Sequence, residues 1–353
     1  MQHVTIIYRS IVLVTLLAVV VMTTASGCIR RSDNEVIVYC ALDREFSEPI
    51  LEDIEKELKI KVLSKFDQES NKTVGLVSGI IQNKDRPQCD VFWNNEIMHT
   101  LRLEKLGLLS TYRSPRADLL PQQFMSSHDK WHGLAARARV LIVNTDLLPD
   151  PKKRPTSVFD LADSKWKGQC AMARPLFGTT ATHAAVLMAH LGEEKGLELL
   201  SQIADNAVIE GGNKQVAIKV ARGQYAFGIT DTDDAIIEQE NANPVAIVFP
   251  DQAVDQIGTL LIPNTLAVIE NGPNTERAKL LVGRLLESDV ETRLAAGASA
   301  QMPVNQTVKT KSRVEMNLKP NTELKVMSAD FYGAADLWET SAAKLVEIFP
   351  TGK

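Results

Sequence analysis

Short apolar runs alternate with segments whose apolar residues recur every three to four positions, almost from one end of the chain to the other. Residues 36–40 form such a run and read as a buried strand. Pro49 follows, and Ile50, Ile54 and Leu58 then repeat at helical spacing, which predicts a helix opening at Pro49 and a strand at 61–66. The rhythm returns with a helix around Val74, Val77 and Ile81, a strand at 90–93, and a helix from Ile97 that ends at Gly107. Residues 140–143 are wholly apolar. A strand at 169–173 leads to a helix over 179–191 closed by Gly192, and a helix near 215–222 precedes a strand at 226–230. No internal repeat or low-complexity segment interrupts the pattern. This alternation predicts an α/β fold with mostly parallel central sheets and helices on both faces.

In open α/β sheets, ligands lie in the crevice beyond the carboxyl ends of the strands. The strand at 36–40 is followed by Ala41-Leu42-Asp43, and that at 90–93 by Asn94-Asn95-Glu96. The strand at 169–173 leads into Arg174-Pro175-Leu176-Phe177-Gly178-Thr179-Thr180, and that at 226–230 into Asp231-Thr232-Asp233-Asp234. Polar residues at four strand ends far apart in sequence are expected to line one cleft.

The first residues bear on location. Arg9 precedes an apolar run over 11–22, and Ala25-Ser26-Gly27-Cys28 follows. A charged start, a short apolar middle and a small-residue cleavage site describe an export signal, too short to span a bilayer comfortably. Residues 1–28 are expected to be a lipoprotein signal peptide with Cys28 lipidated, which tethers the rest outside the cytoplasmic membrane. About 325 residues remain, a length that suits two lobes. A net charge of −5 gives no reason to expect a nucleic-acid partner. Cys40, Cys89 and Cys170 have no zinc-type spacing and are expected to be buried thiols.

The stretches VIVYCALDREFSEPILEDIEKELKIKV, CDVFWNNE, LEKLGLLSTY, WHGLAARARVLIVNTDLL, DLADSKWKGQCAMARP, GQYAFGIT and AQMPVNQ occur in this order. In order and spacing they resemble the ferric-iron-type solute-binding proteins of bacterial ABC importers, which have the type-II periplasmic binding protein fold. The resemblance implies two α/β lobes joined by two hinge strands, with crossings near 137–145 and 258–269. Lobe 1 would comprise residues 35–136 with 264–320, and lobe 2 residues 137–263 with 321–353, the last helices from Thr322 packing on lobe 2. It implies a permease and its ATPase as partners, a monomer, and iron(III) with a synergistic anion as the default cargo, with no required cofactor. The family's iron ligands do not carry over. Its tyrosine pair falls on Asp233 and Asp234, its histidine on Asp43, and its glutamate on Asn95 with Glu96 beside it. Tyr39, Tyr112, Tyr225 and Tyr332 lie at none of the candidate strand ends.

The residues themselves offer two signs of charge. Asp231, Asp233 and Asp234, with Asp43 and Glu96 facing them, suit a hard cation or an ammonium group. Alternatively, Asp233 and Asp234 start a helix over 235–240 and Asp231 caps it. Gly178-Thr179-Thr180 opens a helix whose free N–H groups suit an anion, with Arg174 just before it. Alternation puts Arg137 and Arg139 on one strand face, ready for bidentate anion recognition, and Arg139 suits a structural salt bridge equally well. Asn71-Lys72-Thr73 and Gly212-Asn213-Lys214 are helix starts that double as candidate ligand contacts. Asn264 is a further candidate from the second crossing. Trp93, His183 and His190 read as core or surface. Both signs in one cleft suggest a metal with its anion, or a small zwitterionic or anionic solute such as an aminoalkylphosphonate or a sugar phosphate. No nucleophile elbow, zinc-protease motif, nucleotide fingerprint or phosphate loop appears. A metal-dependent phosphoester hydrolase built on the Asp cluster remains the enzymatic alternative, and a sensory or scaffold lipoprotein a third.

Overall fold

The computed structural model describes residues 34–66, 73–318 and 322–350. The export segment with Cys28, and the candidate residues Asn71 and Lys72, therefore lie outside the described residues. Strand β1 (Glu35–Cys40) pairs in parallel with β2 (Lys61–Phe66) on one side and β3 (Val91–Asn94) on the other. Between them run α1 (Arg44–Leu58) and α2 (Val74–Gln82), each burying an apolar stripe against the sheet. Helix α1 starts at Arg44, five residues before the predicted Pro49. The Asp43 carbonyl already accepts the N–H groups of Phe46 and Ser47, so the proline sits inside a helix begun upstream of it. Helix α3 (Met98–Lys105) follows β3, and Gly107 at φ 71 breaks it.

The two crossings are the strands that organise the molecule. β4 (His132–Asn144) is buried along its whole length. Through Ala138 it pairs antiparallel with β9 (Leu261–Val268), which itself pairs with β3. From Arg139 onward it pairs instead with β7 (Phe227–Asp231) and β8 (Val245–Val248). β5 (Cys170–Ala173) lies parallel between β7 and β6 (Val208–Glu210). The resulting nine-stranded sheet runs β2-β1-β3-β9-β4-β7-β5-β6, with β8 on β4. Its two flanks are parallel, as strand–helix alternation requires. The antiparallel pairs arise where β4 and β9 pass from one flank to the other.

Helices α4 (Gly178–Leu191), α5 (Glu193–Asn206), α6 (Asn213–Ala221) and α7 (Thr232–Glu240) cover the second flank. Gly228 lets α6 seat closely on β7, since a Cβ there would lie 2.4 Å from Val216 Cγ1. Helices α8 (Thr275–Leu285) and α9 (Ser288–Ala296) return to the first flank, and α10 (Phe331–Ile348) closes the described chain. α10 packs along α4 and α5 of the second flank, and it also reaches α3 of the first.

A bulge between Leu134 and Ala136 kinks β4 just before the crossing, with Ala135 at φ 47. The buried Glu291 carboxylate accepts the N–H groups of Ala135, Asn305 and Val304 at 2.5, 2.8 and 3.2 Å. Ala136 and Met302 exchange backbone hydrogen bonds at 2.7 and 2.8 Å. The AQMPVNQ stretch thus holds the bulge in place. Asn264 serves the same joint, donating to the Leu134 and Ala135 carbonyls and to Gln301 Oε1. Cys40, Cys89 and Cys170 are free buried thiols, and Trp93 is fully buried in β3.

Candidate functional site

Asp231 ends β7 directly opposite Arg139 of β4. Arg139 is fully buried, and its Nη1 donates to Asp231 Oδ1 at 2.6 Å. The other Asp231 oxygen accepts from Thr179 Oγ1 at 2.5 Å and Asn213 Nδ2 at 3.0 Å. Asn213 Oδ1 takes the Thr180 hydroxyl at 2.9 Å and Arg139 Nη1 at 3.2 Å, while Arg139 Nε reaches His183 Nδ1 at 3.5 Å. A buried ion pair persists only when its remaining hydrogen-bonding capacity is met, and this one is met from two helices, α4 and α6. Asp231 occupies the N-cap position of α7, yet its side chain makes no cap bond there and faces Arg139 instead. The network draws the N-termini of α4, α6 and α7 to one point.

Arg137 lies two residues away in β4 and is also buried, at 5% exposure. Its Nε stands 3.0 Å from Asp233 Oδ2 without hydrogen-bond geometry, and Nε and Nη2 make no hydrogen bond. Burial opposes its charge, but Asp233, Asp231, Asp43 and Asp234 outweigh that and hold its pKa above the usual arginine value. Arg137 therefore feels both Asp43, which follows β1, and the acidic residues after β7. One oxygen each of Asp231, Asp233 and Asp234 lie within 4.8 Å of one another. Nearby helix starts are open. A Cβ built on Gly178 or on Gly212 meets no atom within 4 Å, and the half-buried Arg174 has an Nε without a hydrogen bond.

The β3 end is closed on itself by comparison. Asn94 donates to Glu96 Oε1 and Thr100, and Thr73 at the start of α2 donates to Asn95 Oδ1 at 3.0 Å. Glu96 is 1% exposed and spends its carboxylate on α3, accepting from Met98 N at 2.6 Å and His99 N at 3.1 Å. Its Oε2 also takes Thr182 Oγ1 of α4 at 3.3 Å, a bond between the two flanks. Sequence reasoning missed Thr182 and the part played by His183, while Thr73 is among the helix-start contacts it names. Their signal is helix phase, since Thr182 and His183 follow Thr179 by three and four residues on α4.

The tyrosines are engaged elsewhere. Tyr39 lies under Lys65, Tyr112 stacks edge-on with His132, Tyr225 donates to Glu210 at 2.6 Å, and Tyr332 donates to Glu104 at 2.9 Å. Burial and the Glu210 carboxylate push the Tyr225 phenol up to about 12, the reverse of what a phenolate metal ligand needs.

Residues 90–333 match the family described as bacterial extracellular solute-binding protein. The chain belongs to that family. The apo ferric ion-binding protein A of Pasteurella haemolytica superimposes with a TM-score of 0.78, covering 91% of this chain and 100% of that one at 23% identity. The periplasmic binding protein AfuA of Actinobacillus pleuropneumoniae, with fructose-6-phosphate bound, gives 0.75 over 91% and 100% at 24% identity. A periplasmic protein of Salmonella typhimurium named for 2-aminoethylphosphonate is 23% identical over 239 residues, 66% of this chain and 67% of its own. These likenesses establish the fold as the two-lobed type-II periplasmic binding protein fold. Members of this solute-binding family capture ligands and are not enzymes, which removes the hydrolase alternative. No helix among the described residues is long and apolar enough to cross a membrane.

Proposed function

We propose that this solute-binding protein captures a small organic anion that also carries an ammonium or hydroxyl groups, and delivers it to an ABC permease and its ATPase. Its lobes are residues 35–136 with 264–320 and residues 137–263 with 321–353, in keeping with the change of partner along β4 between Ala138 and Arg139. The protein acts as a monomer, exported and held to the membrane by a lipid on Cys28. One observation carries the reading of the cargo: a buried guanidinium, Arg137, with hydrogen-bonding capacity to spare, set among carboxylates. An anionic group on Arg137, with Arg174 and the Gly178-Thr179-Thr180 helix start beside it, saturates that capacity. Asp43, Asp233 and Asp234 then receive the ligand's ammonium or hydroxyls, with Asn95 and Asn213 as polar neighbours. Ligand that bridges both lobes favours the closed state by its differential affinity.

A second reading is favoured by the three carboxylates within 4.8 Å: iron(III) or another hard cation with a synergistic anion, held by Asp43, Glu96, Asp233 and Asp234. Two observations weigh against it. Arg139 and Arg137 already stand beside Asp231 and Asp233, so a trivalent ion would share its ligands with two positive charges. Glu96 is committed to capping α3.

Thermal unfolding of the protein against 2-aminoethylphosphonate, fructose-6-phosphate, inorganic phosphate, calcium, and iron(III) with citrate separates the readings. A ligand at about a hundred times its dissociation constant adds roughly 2.7 kcal/mol of stability. A raised midpoint with an organic anion and no metal is expected. A rise with iron(III) alone, abolished by Asp233→Ala with Asp234→Ala, overturns the reading in favour of metal.

A further inference from the structure

Helix α10 is fastened at both ends, to different lobes. Near its start, Tyr332 Oη donates to Glu104 Oε2 at 2.9 Å, and Lys105 Nζ reaches Asp336 and Glu339 at 2.8 and 3.0 Å. Further along, Ser341 Oγ and Lys344 Nζ reach Glu193 Oε1 at 2.9 and 2.8 Å, and the helix packs along α4 and α5. Glu104 and Lys105 belong to α3 of the first lobe, whereas Glu193 begins α5 of the second.

Glu104 is built to receive this contact. Its side chain is only 10% exposed. Trp131 Nε1 and Ser126 Oγ, both from the first lobe, donate to it at 2.9 Å, and Tyr332 brings the donor from α10. The Lys105 ion pairs are exposed and of the kind that contributes little. A hydrogen bond to a largely buried carboxylate is stronger. At the other end of α3, Glu96 takes the Thr182 bond from α4. The first lobe's α3 is thus held by two helices of the second, through side chains outside the hinge strands.

We propose that Tyr332 and Glu104 are positioning residues for ligand capture, and that α10 is a strap that limits how far the lobes part without ligand. Bending at β4 and β9 moves α3 relative to α4, and α10 resists this because it grips both. A chain held near its closed angle presents the binding-competent cleft more often, and apparent affinity scales with that fraction. The inference rests on the two-lobed architecture and is independent of which cargo the cleft takes.

The test is the interlobe distance in ligand-free protein. Spin labels go on Glu52→Cys of α1 and Lys195→Cys of α5, both exposed, in a full chain carrying Cys28→Ser; Cys40, Cys89 and Cys170 are buried thiols. Tyr332→Phe is expected to move the distance distribution to longer and broader values. Glu193→Ala, which removes both contacts at the opposite end of α10, is expected to do the same, because a strap fails at either end. Glu104→Gln keeps an acceptor oxygen and is expected to give a smaller change. Distributions that superimpose on the parent's for Tyr332→Phe and Glu193→Ala overturn the proposal. So does a lowered unfolding midpoint with no change of distance, which would make these contacts merely stabilising.

Discussion

Arg137 and Arg139 stand two residues apart on one face of one strand, each beside an aspartate from the β7 end, and their surroundings differ completely. Arg139 is enclosed by Asp231, Thr179, Thr180, His183 and Asn213. Arg137 has Asp233 in ionic contact and two nitrogens without a hydrogen bond. A closed network fixes geometry, while an open one leaves free energy for something that arrives later. The pair separates the scaffold of the cleft from its recognition group, even though their sequence context is nearly the same.

The sharpest way to break this contrast is from the scaffold side. Asp231→Ala strands the Arg139 charge in the interior and is expected to cost about 3–5 kcal/mol of folding stability, measured by urea unfolding. A loss below about 1 kcal/mol, the range of exposed pairs, would mean that the network is not closed. The same enclosure sets an acid limit. Burial, followed by the Arg139 charge, lowers the His183 pKa well below 6.5. The folded chain keeps His183 neutral while the unfolded chain takes up a proton, so the contribution present above pH 6.5 is lost as pH falls toward the folded pKa. Unfolding midpoints should fall with acidification, and His183→Gln should flatten the slope. His132, pushed down to about 4 by burial, adds a slope of the same sign that the substitution leaves in place.

From the recognition side, Arg137→Ala should weaken binding of 2-aminoethylphosphonate or phosphate by about 1.5–3 kcal/mol, read by calorimetry. The Arg139 enclosure should survive, because none of its hydrogen bonds involves Arg137. Unchanged affinity in Arg137→Ala would place the anion elsewhere and remove the distinction between the two arginines.

Much of this arrangement was legible beforehand. Alternating apolar runs and helical periods located the strands and helices of both flanks, and the strand-end rule named Thr179 and Asp231, which the fold brings into hydrogen bond. What sequence left open was allocation. Asp231 reads equally as helix cap or ligand, because both roles put an acid at a strand end; only its register opposite Arg139 assigns it to the salt bridge. Pro49 misled because a proline is favoured at a helix start, whereas here the Asp43 carbonyl has already begun the turn and the proline sits inside, giving up one backbone hydrogen bond. The partial occupation of Arg137 left no signal at all, since it depends on groups brought from β1 and β7.

Glu96 gives the gentlest test of the comparison, carried to the opposite lobe. It reads as a metal ligand by position, but its oxygens already serve the Met98 and His99 N–H groups and the Thr182 hydroxyl. In Arg139's manner, its capacity is consumed by the fold. Glu96→Gln keeps one acceptor oxygen and should cost about 0.5–2 kcal/mol of stability, the usual weight of a helix cap. Affinity for an organic anion should then change little, because Glu96 contributes no free acceptor to the cleft. A large loss of binding with stability intact would reassign Glu96 from capping to recognition, and would bring the carboxylate-metal reading back to the front.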